Sequence, residues 1–465
     1  VASTELRTLT TVNPATGQVL ESYPVFTADD IEQSLVETNV ATGAWRTVPV
    51  EERAHRLATV SDILLARRDE LALLITREMG KPLPEARAEI DKCAWNCRQY
   101  AQDGPGYLAP ETLATPAQSS QLVYEPLGVI LAVMPWNFPM WQVFRFAVPA
   151  ILAGNTVLLK HAPNVTGTAL AIERVLTDAG LPAGLLRTLV IAEEDVPDTV
   201  DRLIRDPRVA AVTLTGSTRA GAHVAAAAGR ALKKSVLELG GSDPLVVLAD
   251  ADLETAAAHA AKSRLLCAGQ TCIAAKRIIV HRDVADRFEQ LFVEAVESMR
   301  VGDPTAPETD IGPLARADIV DQIERQVRES VRLGATVLCG GERIDGDGHY
   351  FAPTVITNVS RDMPVVAEET FGPVAALLRV HDDEEAIAVA NDTEYGLAAS
   401  VWSRDVEHAL EVGSRIESGC LFVNSLVSSD PRVPFGGIKR SGYGRELGAA
   451  GIREFTNMRS VWVAP

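Results

Sequence analysis

The sequence predicts a mostly parallel, doubly wound α/β fold in two units, and three observations predict it. The chain has 465 residues, too many for one compact core at ~150 residues per domain. From Leu122 onward, short β-branched runs alternate with helical stretches, the βαβα rhythm of a parallel sheet covered by helices. After Pro244 the rhythm starts again.

Taken in order, the chain opens with a short hairpin around Asn13-Pro14-Ala15-Thr16-Gly17 and then three helices near 28–44, 50–78 and 83–103. Thr27-Ala28-Asp29-Asp30 reads as an N-cap followed by acids in the first turn, and Gly80 and Pro82 end the second helix. The Gly-, Pro-, Ser- and Thr-rich stretch 104–120 reads as a connector. In the first α/β series, strands are expected at 129–133, 156–160, 187–191, 211–215 and 234–237. The intervening helices fall at 140–153, 166–179, 195–205 and 218–231. In the second, strands are expected at 245–248, 277–281, 336–339, 374–380, 399–402 and 421–424, and helices at 252–265, 283–299, 314–333, 383–391 and 405–416. The tail 456–463 is β-like with no obvious partner strand; a neighbouring subunit and an edge within the chain are equal alternatives.

A formal net charge of −18 repels phosphate backbones and anionic lipid, which argues against nucleic-acid and membrane partners. No apolar run reaches the ~20 residues that span a bilayer, and no signal-peptide pattern is visible at the start. The six cysteines are sparse and form no CxxC pair, which fits a reducing, cytoplasmic setting. Cys93 and Cys97, four apart on a helix with no histidine nearby, read as small buried apolar residues, and no metal site is expected.

Five segments could carry chemistry. Gly269-Gln270-Thr271-Cys272 puts a cysteine on a turn between small residues, where a substrate can reach it. Glu238-Leu239-Gly240-Gly241 puts a carboxylate where an apolar strand opens into a Gly-Gly turn, a place suited to a general base. Pro135-Trp136-Asn137-Phe138-Pro139 fixes an Asn amide on a rigid turn, from which it can donate to an oxyanion. Gly216-Ser217-Thr218-Arg219-Ala220-Gly221 follows a strand and opens a helix, as a phosphate-binding turn does, but lacks the middle glycine of GxGxxG. Arg145 is a lone cation in an apolar helix. Singly, each also has a structural reading: a buried thiol, a loop acid, an Asx-turn, a helix start, an ion pair.

Together, and in this order, PWNFP, Lys160 at a strand end, TGS…G, ELGG, GQxC, Glu368-Glu369-Thr370-Phe371-Gly372-Pro373 and Pro434-Phe435-Gly436-Gly437 resemble the aldehyde dehydrogenase family over nearly the whole chain. Within it, Lys160-His161-Ala162-Pro163-Asn164, LELGGSDP and PFGGIKRSGYGRE are similar to the bacterial succinate-semialdehyde dehydrogenases. The resemblance implies a cofactor domain (1–106 and 126–238), a catalytic domain (239–433) and a small β oligomerisation arm (107–125 and 434–465) in a homodimer or homotetramer. It also implies oxidation of a small aldehyde to its acid with NADP or NAD. Cys272 becomes the nucleophile, Asn137 and the Cys272 N–H the oxyanion hole, and Glu238 the base that activates water. Lys160 would hold the adenosine ribose, Gly216 and Ser217 the pyrophosphate, and Glu369 the nicotinamide ribose. Trp136 and Phe371 would line the cofactor site, with Asn137, His161, Ala162, Pro163 and Leu239 completing it. Arg145 and Ser429 would bind a substrate carboxylate, making succinate semialdehyde the expected substrate. Glutarate semialdehyde and aliphatic aldehydes are the alternatives, and a non-catalytic family member is a further one.

The sequence departs from the family in three places. Cys267 replaces an Asn five residues before the nucleophile, either as apolar filler or as a redox partner for Cys272. Pro163 replaces the Glu that in NAD-preferring relatives repels a 2′-phosphate, and Lys160 and His161 add potential positive charge, so NADP should be accepted. Leu266 replaces a second carboxylate-binding arginine, with Arg264, Arg432 and Ser428 or Ser429 as candidates to compensate.

Overall fold

The computed structural model describes residues 7–464. Two large sheets organise it. The first has six strands in the order Gly442–Tyr443, Lys234–Glu238, Val209–Thr215, Val129–Met134, Thr156–His161, Leu186–Thr188. All pair in parallel except Gly442–Tyr443, which runs antiparallel to the end of Lys234–Glu238. Val129–Met134 is almost wholly buried because helices cover both faces, and the helix after it, Trp141–Leu152, is buried along its full length.

From Val129–Met134 the sheet winds outward both ways, first to Thr156–His161 and then to Val209–Thr215. The crevice at the carboxyl ends of Val129–Met134 and Val209–Thr215 is therefore a topological switch point, where doubly wound sheets bind ligands. Pro135-Trp136-Asn137 and Gly216-Ser217 leave the strands there.

The second sheet has seven strands in the order Thr336–Cys339, Thr354–Thr357, Val374–Val380, Ala275–His281, Asp243–Val247, Ala398–Trp402, Cys420–Val423, antiparallel only in its first pair. Cys272 stands just before Ala275–His281, at the amino edge of this sheet, and shares a cavity with the carboxyl edge of the first.

Several elements differ from expectation. The helix read at 50–78 is two helices, Val50–Ala66 and Arg68–Met79, separated at Arg67 (φ −104°, ψ 15°). The strand Thr354–Thr357 was not anticipated; it is short and follows directly on Pro353. The connector at 104–120 is instead the end of a helix, Leu83–Tyr107, and the start of a strand, Ser119–Pro126. That strand is the partner the tail lacked: Thr456–Val463 pairs with it antiparallel within the chain, from Thr456 opposite Pro126 to Val463 opposite Ser119. Residues 434–454, grouped with the arm on the sequence, pack on the body. Gly442–Tyr443 completes the first sheet, and Phe435, Leu447 and Ile452 are buried in the core that holds Ile130 and Val236.

Candidate active site

Cys272, the candidate nucleophile, follows a strained loop. After the helix Leu253–Leu265 the backbone takes three left-handed residues in a row, Cys267 (φ 55°), Ala268 (φ 52°) and Gly269 (φ 75°). Such a conformation costs of order 1–3 kcal/mol per non-glycine residue and needs surroundings that impose it. Buried Arg264 supplies them, donating from Nε to the Val374 carbonyl (2.6 Å), from Nη2 to the Thr370 carbonyl (2.9 Å) and from Nη1 to the Gly269 carbonyl (3.3 Å). Gln270 accepts from the Ala315 N–H (2.9 Å), and Lys276 Nζ donates to the carbonyls of Thr271 (3.0 Å) and Cys272 (2.7 Å). Position 269 admits only glycine, since a Cβ there would lie 2.2 Å from the Gly372 oxygen.

Glu238, the last residue of its strand, is buried, and its Oε1 has no hydrogen-bond partner. Gly436 makes room for it: a Cβ there would stand 2.8 Å from that oxygen. Burial raises the Glu238 carboxyl well above the usual range, and the Arg145 guanidinium opposes the rise. Burial likewise pushes the Cys272 thiol up to about 11, against the pull of Arg145 and Lys276. Asn137 Nδ2 donates to the Gln270 carbonyl (2.9 Å), which ties the amide to the nucleophile's loop and leaves its second N–H available.

A cavity of about 460 Å³ joins Trp136, Asn137, Gly216, Ser217, Leu239, Cys272, Glu369 and Phe371, eight of the residues singled out in the sequence. Trp136 and Phe371 meet edge to face at 5.7 Å. Glu369 is held by the Gly241 N–H (3.1 Å) and Lys276 (3.2 Å), and Gly240 lets it approach, because a Cβ there would lie 2.4 Å from Glu369 Oε2. The helix Thr218–Arg230 opens at this cavity. Ser217 caps it by accepting from the Ala220 N–H (3.3 Å), and Gly221 fits closely against Leu239. Lys160 stands half-buried at its strand end, with burial lowering it to about 8.

Some expectations fail. His161 adds no charge: its Nε2 faces the Pro139 carbonyl (2.8 Å), its Nδ1 accepts from the Ala162 N–H (2.8 Å), and burial drops it to about 4. Ala162 is buried beside it, while Pro163 lines a separate hollow with Arg7, Glu193 and Glu194. Arg264 cannot replace the missing arginine because it is spent on backbone carbonyls, and Arg432 is exposed and paired with Asp430. Ser428 is exposed; Ser429 is buried and accepts from Lys92 Nζ (2.8 Å). Cys267 is a buried thiol turned to the Asn137 carbonyl (3.5 Å), with burial raising it to about 12, which favours the filler reading.

Arg145 is 2% exposed and forms an ion pair with buried Glu446, so the structural pairing weighed against its substrate role is present. Its charge favours the ionised forms of both Cys272 and Glu238. Sequence reasoning gave no role to Glu446, Lys276 or Lys92. Glu446 lay within a quoted motif, GYGRE, but Lys92 carries no local signal.

A profile of the Aldehyde dehydrogenase family matches residues 1–461. A probable succinate-semialdehyde dehydrogenase [NADP(+)] of Synechocystis sp. is 48% identical over 98% of this chain and 100% of its own length. Succinate semialdehyde dehydrogenase [NAD(P)+] Sad of Escherichia coli is 48% identical over 97% of each chain. The crystal structure of succinic semialdehyde dehydrogenase from Streptococcus pyogenes in complex with NADP+ superposes with a TM-score of 0.95, at 39% identity, over 98% of this chain and 100% of that one. The chain belongs to the aldehyde dehydrogenase family.

Proposed function

We propose that this protein oxidises succinate semialdehyde, or a similar carboxylated aldehyde, to the acid with NADP or NAD through a thioester on Cys272. The observation that carries the reading is the cavity that joins Cys272 and Asn137 to Gly216, Ser217 and Glu369. The relatives' names point to the same substrate and cofactors.

The crevice fits a dinucleotide. Lys160 and the start of Thr218–Arg230 offer positive potential to ribose and phosphates, Glu369 is presented over Gly240, and Trp136 and Phe371 flank the inner end. Without a Glu at position 163, a 2′-phosphate meets no repulsion from that place. A nicotinamide bound there accepts hydride.

The rest is done by the chain's own groups. Cys272 gives its proton to water and its sulfur bonds to the aldehyde carbon, whose oxygen becomes an oxyanion. Asn137 Nδ2 and the Cys272 N–H donate to that oxygen, each worth about 3–4 kcal/mol of barrier. Loss of hydride from the thiohemiacetal carbon leaves a thioester on Cys272. Glu238, as carboxylate, takes a proton from water as the water oxygen adds to the thioester carbon. The C–S bond then breaks and the acid departs.

The division into cofactor unit, catalytic unit and arm belongs to this proposal, with the arm confined to the small sheet of Thr456–Val463, Ser119–Pro126 and Glu111–Thr112. Its exposed Met458 and Trp462 support a homo-oligomer, and the free thiols support a cytoplasmic setting. The test is rapid quench after mixing enzyme, cofactor and succinate semialdehyde. A succinyl adduct on Cys272, absent in Cys272→Ser, is expected. Unimpaired turnover by Cys272→Ser would refute the reading.

A further inference from the structure

On the helix Trp141–Leu152, Trp141 and Arg145 stand four apart, so they share one side. Lys92, from the helix Leu83–Tyr107, packs over that side with its Nζ 4.6 Å from the centre of the Trp141 ring and 2.8 Å from Ser429 Oγ. Its ammonium therefore lies among Trp141, Ser429 and, close enough for mutual repulsion, Arg145.

The charges nearby do not balance. Arg145 has Glu446. Among the described residues, Lys92 has no carboxylate within ion-pair distance. The two acids that reach it electrostatically are committed elsewhere. Glu89, on its own helix, holds Lys81 and accepts from the N–H groups of Met140 (2.8 Å) and Trp141 (2.9 Å). Asp430 binds Arg432 through Nη2 (2.6 Å) and Nε (2.9 Å). The remaining titratable neighbour is the buried Cys93 thiol, which burial keeps protonated. A half-buried cation thus stands without a counter-ion beside Arg145. Removing charge from water this way is unfavourable unless an anion completes the site.

Resting on the substrate reading above, we propose that Lys92, with Ser429, is a specificity-determining anchor for the substrate carboxylate. It supplies the positive charge that Glu446 cancels on Arg145 and that Leu266 leaves missing. The ligand class is a short aldehyde ending in a carboxylate. Lys92 touches the non-reacting end, so it acts on binding rather than on the bond-making steps. Burial and Arg145 lower its ammonium to about 8. The anchor is therefore charged at neutral pH and weakens as pH rises through that value.

The test compares succinate semialdehyde with butanal, an uncharged aldehyde of equal length, using the full-length enzyme and its Lys92→Met and Lys92→Arg variants. Lys92→Met should raise KM for succinate semialdehyde by about 10- to 100-fold, the scale of one charge-assisted hydrogen bond, with kcat and the butanal KM within about twofold. In the unaltered enzyme, KM for succinate semialdehyde should climb above pH 8 while that for butanal stays flat. Lys92→Arg should keep the low KM and abolish the climb, which a merely structural lysine would not do. A preference for succinate semialdehyde that survives Lys92→Met, or equal losses on both aldehydes, overturns the anchor alone. Absence of any such preference in the unaltered enzyme overturns the substrate reading and the anchor with it.

Discussion

Glu446→Gln isolates the electrostatics of the site. The substitution is nearly isosteric and removes the acid that neutralises Arg145. Both side chains are only 3% exposed, and the guanidinium's other polar side-chain contact is a long one, to Thr215 Oγ1 at 3.4 Å. Little else can compensate the arginine, and breaking a buried ion pair from one side costs about 3–5 kcal/mol. The urea unfolding midpoint should fall accordingly. The same change should act on the chemistry in the opposite sense. Glu446 raises the Glu238 carboxyl and Arg145 lowers it, so losing one and unmasking the other both favour the Glu238 carboxylate. Arg145 also favours the Cys272 thiolate. The acidic limb of the rate profile, where Glu238 becomes protonated, should move to lower pH. The assay is kcat against pH beside urea denaturation of both proteins. A limb that stays in place or moves to higher pH would sink the argument, whatever happens to stability.

Two more perturbations test the catalytic loop and the base. Gly269→Ala puts a methyl 2.2 Å from the Gly372 oxygen on a left-handed backbone, so it should displace Cys272 and lower kcat by about 100-fold. Iodoacetamide labelling of Cys272 should slow or quicken with it, and unchanged values for both would contradict the role given to the loop. Glu238→Gln should slow thioester hydrolysis by about 10²- to 10⁴-fold and let acyl-enzyme accumulate in a quench experiment. In the unaltered enzyme, hydrolysis below pH 8 should fall about tenfold per unit as the carboxyl is protonated, and the variant should lose that slope.

The strands of both sheets were legible because parallel strands covered on both faces are short apolar runs bounded by glycine, proline or polar turns. Val129–Met134 and Val374–Val380 are examples, and Thr354–Thr357 escaped because four residues after a proline carry little pattern. Cys272, Glu238 and Asn137 stood out for a related reason. Cys272 and Glu238 stand beside turns whose glycines are demanded by close approach, as Gly269 and Gly240 show. What stayed hidden is pairing across the chain. Lys92 and Ser429 are 337 positions apart, and no local spacing connects Arg145 to Glu446. Burial also reversed one reading: His161 looks cationic on paper but is turned onto backbone groups and neutral.

The antiparallel pairing of Gly442–Tyr443 with Leu237–Glu238 has a consequence for biosynthesis. The segment that flanks Glu238 is made some two hundred residues after it. Until it is made, the first sheet has an open edge at the strand that ends in Glu238. A chain cut short of Gly442 would leave that edge unpaired beside Glu238.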